Sequence, residues 1–494
     1  MQFSPPVRAS LGFVGLALIC LFFADIEVTT IDPWREMGRL GLGILTPDFS
    51  AVERLGDALL QTVAFAILGV AAGGILGFSL ATIYHLPLVR PFCAFIRSIH
   101  EIFWALIFLQ GFGLTPLTGV LAIAIPYAGI FAKVYSEILE EADAGAIAAL
   151  PAGTSHLSSF FYVRLPDVRA HLKTYSFYRL ECALRSSAVL GFVGLPTLGF
   201  HLETAFKQGQ YSEVSALLIV FYILIATIRF WVRPKYFWLY VIAAPLAFKT
   251  SVAIDWSNVT RFFAHDIVPM PLRRAETIDF AAISATGDWL WRIMTEQAFP
   301  GIISTLVLTQ IALVATGVLT LFFFPLVSQR FFGIFGRNLG HVFLVVVRST
   351  PEYILAYILL QLWGPSMFPA VVALSLHNGA IIGHLIGRHT DELPQRADAP
   401  HGLNLYAFEV LPRVYGQFLA FLFYRWEVIL RETAILGILG VATLGFYVDS
   451  AFEDIRFDVA LVLILTTAML NICVDIISRN IRARLRLTTT PDAG

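Results

Sequence analysis

Charged side chains are scarce in this chain. Only 14% of its 494 residues are Asp, Glu, Lys or Arg, whereas 57% are hydrophobic and the mean hydropathy is +0.75. A soluble protein carries roughly 25% charged residues. The net charge of −1 gives no overall attraction to nucleic acid. This composition predicts a protein built for the lipid bilayer.

Cysteine is also sparse, and its spacing carries no signal. The four cysteines lie in or beside apolar stretches, and no two form a C-x-x-C pair. A disulfide scaffold and a zinc site are therefore not expected. Among the scattered histidines, His377 and His384 are seven residues apart, a weak pattern on which we predict no metal site.

Enzyme motifs are missing as well. The chain has no G-x-x-x-x-G-K-[ST] phosphate loop, no H-E-x-x-H and no G-x-S-x-G. We therefore expect a chain that is not an enzyme, does not hydrolyse ATP and holds no cofactor. No polar stretch is long enough to be a fused soluble domain.

Long apolar stretches dominate what is present. A span of the bilayer needs about 20 apolar residues, and the sequence offers about twelve candidates. They lie near 10–26, 55–84, 92–113, 116–138, 175–200, 212–230, 236–254, 300–327, 332–363, 368–388, 416–446 and 457–477. The first lacks a small-residue cleavage site, so it is expected to be an uncleaved span. The fold class predicted is an all-α polytopic membrane protein.

Arginine-rich loops predict the orientation. Basic residues concentrate at 229–236, 328–338 and 478–487, which fall on one side if twelve spans alternate. The loop at 450–458 on the other side is acidic. Under the positive-inside rule the basic side is cytoplasmic, so both termini are expected inside.

The chain repeats itself. Residues 177–200 recur as 423–446 with 14 of 24 positions identical, in the pattern FYRxExxLRxxAxLGxxGxxTLGF. A second pair is 96–113 and 347–364. Six spans per copy is an even number, so both copies share one orientation and form a parallel repeat. We predict two transmembrane domains, 1–232 and 233–494.

Several stretches resemble a known family. They are RLGLGILTPDFS (39–50), IHEIFWALIFLQGFGLTPLTGVLAIAI (99–125), DAGAIAALPAGTSHLSSFFYVRLPDV (143–168) and FYRLECALRSSAVLGFVG (177–194). They are similar to the phosphonate-type permease of bacterial ABC importers, and the similarity recurs more weakly over about 290–480. The chain thus resembles two such permeases fused in tandem.

The resemblance implies a type I ABC importer permease fold in the bacterial inner membrane. It implies two cytoplasmic ABC ATPase subunits and an extracytoplasmic solute-binding protein as partners. It also implies a phosphorus oxyanion as the solute: phosphonate, phosphite or phosphate.

The family contacts its ATPase through a loop with an EAA…G…LP pattern. The first copy matches it with Gly153, Leu165 and Pro166, but Ile147 stands where the pattern has Glu. The second copy matches with Gly402, Leu411 and Pro412, with 10 rather than 13 positions from Gly to Pro. Both ATPase-coupling loops are therefore predicted to be degenerate.

Charged residues recur inside the apolar segments, and they have two interpretations. Glu181 and Arg185 are four residues apart, so on a helix they share a face and can pair. The same spacing joins Glu427 to Arg431, Arg97 to Glu101, and Arg348 to Glu352. They are either structural ion pairs in a polar bundle interior or candidates for the translocation path, with guanidinium groups offered to a passing oxyanion.

Glycines after these charges also allow two interpretations. Gly191 and Gly194, matched by Gly437 and Gly440, permit either close helix packing or the bend of a gating helix.

Other functions stay open on sequence alone. The chain could be an ABC permease for another small solute such as an amino acid, or an anion transporter that needs no ATPase. A scaffold without transport activity is a further alternative, given the degenerate loops.

Overall fold

A computed structural model describes residues 4–30, 32–50, 54–140, 150, 154–248, 253–394, 396 and 398–487. Regular structure in these ranges is entirely helical. The chain forms two compact units, a first unit of residues 39–266 and a second unit of residues 1–38 with 267–494. The first copy of the sequence repeat lies in the first unit and the second copy in the second unit.

The main helices are numbered in chain order. Those before residue 267 are α1 (Pro5–Leu21), α2 (Pro33–Leu45), α3 (Leu55–Thr82), α4 (Val89–Ser98), α5 (Glu101–Phe112), α6 (Pro116–Glu140), α7 (Leu165–Val189), α8 (Leu198–Lys207), α9 (Tyr211–Trp231) and α10 (Phe237–Ala243). Those after it are α11 (Phe280–Ile293), α12 (Phe299–Val327), α13 (Ile334–Ser349), α14 (Glu352–Trp363), α15 (Met367–Glu392), α16 (Leu411–Ile438), α17 (Leu444–Glu453) and α18 (Phe457–Arg484).

Short helical segments connect several of them. Single α turns lie at His156–Ser159, Trp256–Arg261 and Met270–Arg274, and 3-10 turns at Leu190–Val193, Pro234–Tyr236 and Ala244–Ala247. Turns of π-helix lie at Phe160–Arg164, Phe262–Asp266, Met294–Ala298 and Leu405–Val410.

Many of these helices can cross a bilayer. Among the described residues, α3, α6, α9, the continuous stretch 280–327, α15 and α18 are each long and apolar enough. Three bent pairs qualify as broken spans: α4 with α5 (88°), 160–193 with α8 (51°) and α13 with α14 (91°). Two more predicted spans are helical: α1 is an apolar helix of 17 residues, and the 28-residue α16 carries the charges of the repeat. The chain is a multi-pass, all-helical membrane protein, as predicted.

The candidate at 236–254 is not one long helix in its described part. It consists of α10 and the 3-10 turn Ala244–Ala247. This segment runs along the first unit: the ring of Phe237 lies 6.3 Å from that of Phe177 on α7, and Phe248 lies 4.8 Å from Phe65 on α3. Pro245 accounts for the change of helix type, because its ring cannot continue an α-helix without a clash.

Helix α1 covers the corresponding face of the second unit. The ring of Phe13 lies 5.0 Å from Phe423 and 5.2 Å from Trp426, and Gln310 donates to the Phe13 carbonyl at 3.0 Å. Phe423 is the repeat equivalent of Phe177. Each copy is thus covered by a helix that precedes the other copy in the sequence. The predicted domains 1–232 and 233–494 follow the sequence repeat, and they stay a prediction. The compact units of the structure instead divide between residues 38 and 39 and between residues 266 and 267.

Glycine stripes bring two equivalent helix pairs close together. On α3, a Cβ added to Gly73 would lie 2.9 Å from the Ala124 carbonyl of α6, and one on Gly77 would lie 2.9 Å from the Ala128 carbonyl. In the second unit the glycine stripe lies on α15, the equivalent of α6, and not on α12, the equivalent of α3. A Cβ on Gly387 of α15 would lie 2.7 Å from the Phe324 carbonyl of α12. Small residues of this kind let membrane helices approach closely.

Candidate functional site

Each unit contains a sharp break between two half-helices. The chain is extended at His100, before α5, and at Pro351, before α14. Pro351 disfavours helical backbone at the residue before it, and His100 caps α5 by accepting the Ile102 N–H at its Nδ1 atom (3.2 Å). Each new half-helix begins with a glutamate, Glu101 or Glu352, at the helix N-terminus, where the helix dipole favours negative charge.

In the first unit, hydroxyl groups satisfy Glu101. Ser186 of α7 donates to Glu101 Oε1 at 2.7 Å. The Tyr127 hydroxyl of α6 lies 3.3 Å from Ser186 Oγ. Because Ser186 has one proton and directs it to the carboxylate, Tyr127 is the donor to Ser186. This chain of hydrogen bonds joins α5, α6 and α7.

In the second unit, the equivalent place holds more ionisable groups. His377 Nε2 lies 3.4 Å from Glu352 Oε2, and its Nδ1 lies 2.8 Å from the Thr350 carbonyl. The neighbouring Asn378 donates to Glu432 Oε2 at 3.3 Å. Glu432 is only 7% exposed, and Asn378 is fully buried.

The two clusters are repeat equivalents, and sequence analysis found only part of them. It identified the glutamates, but not Ser186, Tyr127 or Glu432. A signal was available: Ser186 and Glu432 fall at the same position of the repeated stretch, immediately after the conserved Arg185 and Arg431. Polar residues at one register in both copies, one of them charged, would have indicated this contact.

The predicted glutamate–arginine pairs have different outcomes. Arg185 Nη2 lies 3.6 Å from Glu181 Oε1, with side chains 23% and 29% exposed. Glu427 and Arg431 lie on α16 with intermediate exposure. Arg185 is in the first unit and Arg431 in the second.

The other two pairs were predicted from helical spacing, and that argument does not apply to them. Arg97 lies in the last turn of α4 and Glu101 begins α5, across the 88° bend. Arg348 and Glu352 are likewise divided by the 91° bend between α13 and α14. Positions four apart share a face only on a continuous helix. All four side chains have intermediate exposure.

Arg179 is placed between aromatic rings. Its guanidinium carbon lies 5.3 Å from the ring centre of Tyr127 and 5.7 Å from that of Tyr175. Cation–π contacts stabilise a guanidinium group in a partly apolar setting. The Tyr127 ring is therefore shared between this arginine and the Glu101 cluster.

The two coupling segments have the same local structure where they are described. Gly153 lies outside the described residues. Leu165–Pro166 begins α7 after the π turn Phe160–Arg164, and Leu411–Pro412 begins α16 after the π turn Leu405–Val410. A wide turn accommodates the proline, which has no N–H and crowds the preceding turn. Gly402, at φ +63°, adopts the left-handed conformation.

The second coupling segment is tied to neighbouring helices by charged contacts. Glu409 lies 2.9 Å from Arg413 and 3.8 Å from Arg396. Asp391 accepts from Ser328 Oγ at 2.6 Å and from the Gln329 N–H at 3.0 Å. Glu409 thereby ties the segment to the start of α16, and Asp391 ties the end of α15 to the loop after α12.

The glycines of the repeat lie at the break after each charged helix. Gly194 and Gly440 have φ of +90° and +93°, a conformation that other residues rarely adopt. A Cβ on Gly191 or Gly437 would collide with the backbone of the following half-helix, at Phe200 or Phe446. These positions require glycine for close approach and for the turn.

The described residues contain no group of three or more His, Cys, Asp or Glu placed to hold a metal ion. Instead, the glutamates at the two helix breaks contact a hydroxyl group in the first unit and an imidazole in the second. Ionisable groups in membrane helices usually face a bundle interior or a path for ions and solutes.

One known protein resembles this chain over nearly its whole length. It is 24% identical over 511 aligned residues to the phosphate-import permease protein of Mycolicibacterium smegmatis, covering 93% of this chain and 91% of that protein. It is 29% identical to a phosphite transport system permease protein of Stutzerimonas stutzeri, over 43% of this chain and 82% of that one. No match was found among solved structures.

A shorter relative settles the family. The chain is 31% identical over 112 residues to a putative cryptic phosphonate transport system permease protein of Escherichia coli, covering 22% of this chain and 92% of that protein. The profile of the binding-protein-dependent transport system inner membrane component matches residues 68–234. The half-length coverage by the phosphite permease is consistent with a tandem fusion, as predicted. The chain belongs to the family of binding-protein-dependent transport system inner membrane components.

Proposed function

We propose that this chain forms the membrane path through which an ABC importer takes up a phosphorus oxyanion. The observation that carries the proposal is the similarity over 93% of the chain to a phosphate-import permease. Shorter relatives are phosphite and phosphonate permeases by name, so a phosphorus oxyanion is the shared chemistry.

The structure supports a path lined by paired rather than isolated charges. Arg185 is partly exposed beside Glu181, and the carboxylates at the helix breaks are satisfied by hydroxyl or imidazole groups. An importer must release its solute, so contact with arginines already paired to carboxylates suits transient binding. Arg97, Arg348, Arg431 and their glutamates remain candidates for the same path.

Energy is proposed to come from two separate ATPase subunits docked on the two coupling segments. Gly153, Leu165 and Pro166 form one, and Gly402, Leu411 and Pro412 the other. The contact of Glu409 with Arg413 supports this role, because it ties the second segment to the start of α16. The chain itself is proposed to have no ATPase site and to receive its solute from an extracytoplasmic binding protein.

Both termini are proposed to be cytoplasmic in a bacterial inner membrane. The arginine-rich loops and the even number of predicted spans support this orientation.

Uptake into proteoliposomes tests the proposal. The chain would be reconstituted with an ABC ATPase and a solute-binding protein from the same organism and supplied with labelled phosphate, phosphite, a phosphonate or an amino acid. We expect ATP-dependent uptake of a phosphorus oxyanion only. Amino-acid uptake would favour the alternative solute, and anion flux through the chain alone would favour a transporter that needs no ATPase.

A further inference from the structure

The first unit contains a cavity that the proposed transport path does not use. Its volume is about 760 Å³, and it lies between α3, α6, α7 and the segment Pro234–Trp238. This volume is in the range of sites that hold a small organic ligand. Ile75 and Trp238, at its opening, are 54% and 59% exposed, so the cavity opens on the outer surface of the unit.

The lining is divided by chemistry. Most of the wall is apolar or aromatic, including Val70, Phe78 and Phe237. Its charged members are Arg169, Lys173 and Lys235, all exposed, and no acidic residue lines the cavity. An apolar body with a basic rim is complementary to a molecule that has an anionic head and a hydrocarbon tail.

The second unit shows what fills the equivalent place. Arg169, Phe177 and Leu180 line the cavity, and their repeat equivalents are Tyr415, Phe423 and Trp426. Those three residues hold α1. Tyr415 donates to Ser10 Oγ at 2.6 Å, and Phe13 contacts both Phe423 and Trp426.

The covering helix differs between the units, and so does the charge beneath it. In the second unit the 17-residue α1 covers the groove, whereas in the first unit the seven-residue α10 leaves space open. The two basic residues of α7 that line the cavity, Arg169 and Lys173, are replaced by uncharged Tyr415 and Leu419 on α16. The positive charge therefore occurs only in the copy whose groove is incompletely filled by protein.

We propose that this cavity binds one anionic phospholipid. Its phosphate lies at Arg169, Lys173 and Lys235, and an acyl chain lies along Phe78 and Trp238. Arg169 and Lys173 are on the first turns of α7, directly after Leu165–Pro166 of the coupling segment. A bound lipid would thus brace the helix that leads away from that segment. The inference does not depend on which solute is transported.

Native mass spectrometry of the full chain in an uncharged detergent tests the site. Phosphatidylglycerol and phosphatidylcholine with the same acyl chains would be titrated separately, and the bound fraction measured. A variant Arg169→Gln/Lys173→Gln removes two rim charges. The matched control is Arg229→Gln/Arg233→Gln, two exposed arginines nearby that do not line the cavity.

A second variant fills the cavity without changing its charge. Gly74 lines the wall, and a Cβ added there would meet nothing closer than 3.9 Å. Gly74→Leu therefore places a side chain in the space proposed for the acyl chain. Inorganic phosphate at millimolar concentration serves as a competitor, because it shares the head-group chemistry but has no tail.

We expect wild type and the Arg229/Arg233 control to retain phosphatidylglycerol in preference to phosphatidylcholine. The Arg169/Lys173 variant should bind it roughly 30-fold more weakly, and Gly74→Leu should also reduce binding while the charges remain. Equal retention of both lipids by wild type, or equal losses in control and rim variants, would overturn the proposal. Displacement of the lipid by phosphate would identify the site as one for the free anion.

Discussion

Arginine at the repeated positions provides a test of the translocation path at the scale of single residues. Replacing Arg185 and Arg431 together by lysine keeps both charges but removes the planar fork that binds an oxyanion through two hydrogen bonds. If these side chains contact the solute, uptake should fall severalfold while membrane abundance and basal ATPase activity are unchanged. Unchanged uptake in the same proteoliposome assay would assign the pairs a structural role.

Ser186 provides a separate test, of the cluster at the helix break. Ser186→Ala removes the hydrogen bond to Glu101 and should destabilise the protein by about 1 kcal/mol, read as a lower midpoint of thermal unfolding. Ser187 is the matched control, because its hydroxyl donates to the Leu184 carbonyl of its own helix. Equal midpoints for the two alanine variants would mean that the contact with Glu101 contributes nothing to stability.

Residue types and spacing identified candidate charged residues and one pair on a single helix, but not the contacts that these residues make with other helices. The i, i+4 spacing gave the Glu181–Arg185 pair, since both lie on one continuous helix. It could not show that Arg97 and Glu101 lie on two helices, because hydropathy does not reveal the two-residue break between α4 and α5. The contacts of Glu101 come from α6 and α7, far along the chain, and no local pattern encodes such a meeting of helices.

At the scale of elements, the glycine stripes predict which helix faces tolerate added volume. Gly77→Ala would push a methyl group against the Ala128 carbonyl and should destabilise the protein by about 1–3 kcal/mol. Gly74→Ala, one turn away on the same helix, has room for the methyl group and should be neutral or slightly stabilising. The measurement is thermal unfolding of both variants in one detergent; similar midpoints would contradict close packing of α3 on α6.

The same stripes show how the helix pairs α3–α6 and α12–α15 can both pack closely without sharing the same glycines. The close approach is preserved with glycine on α3 in one unit and on α15 in the other. Either partner can supply the small residue, so identity is not required at any single position. At Gly194 and Gly440, by contrast, one backbone conformation is needed in both copies, and the residue is the same.

At the scale of the whole molecule, the fusion predicts the composition of the complex. A permease with both halves in one chain should function as a single copy, because fusion fixes the ratio of the unequal halves and gives them an effective concentration of roughly millimolar. Mass measurement of the solubilised importer should find one 54.7 kDa chain with two ATPase subunits. Two copies of this chain in each complex would contradict the tandem arrangement.

Helix α1 precedes the first copy of the repeat but packs on the second copy, and this arrangement has a consequence for biogenesis. Helix α1 leaves the ribosome first, yet its partners Gln310 and Phe423 are 297 and 410 residues later than Phe13. At about 5–20 residues per second, α1 waits roughly 15–80 s for them. The first unit, continuous in sequence from 39 to 266, can assemble during that interval. Helix α1 is therefore synthesised well before the helices that hold it in place.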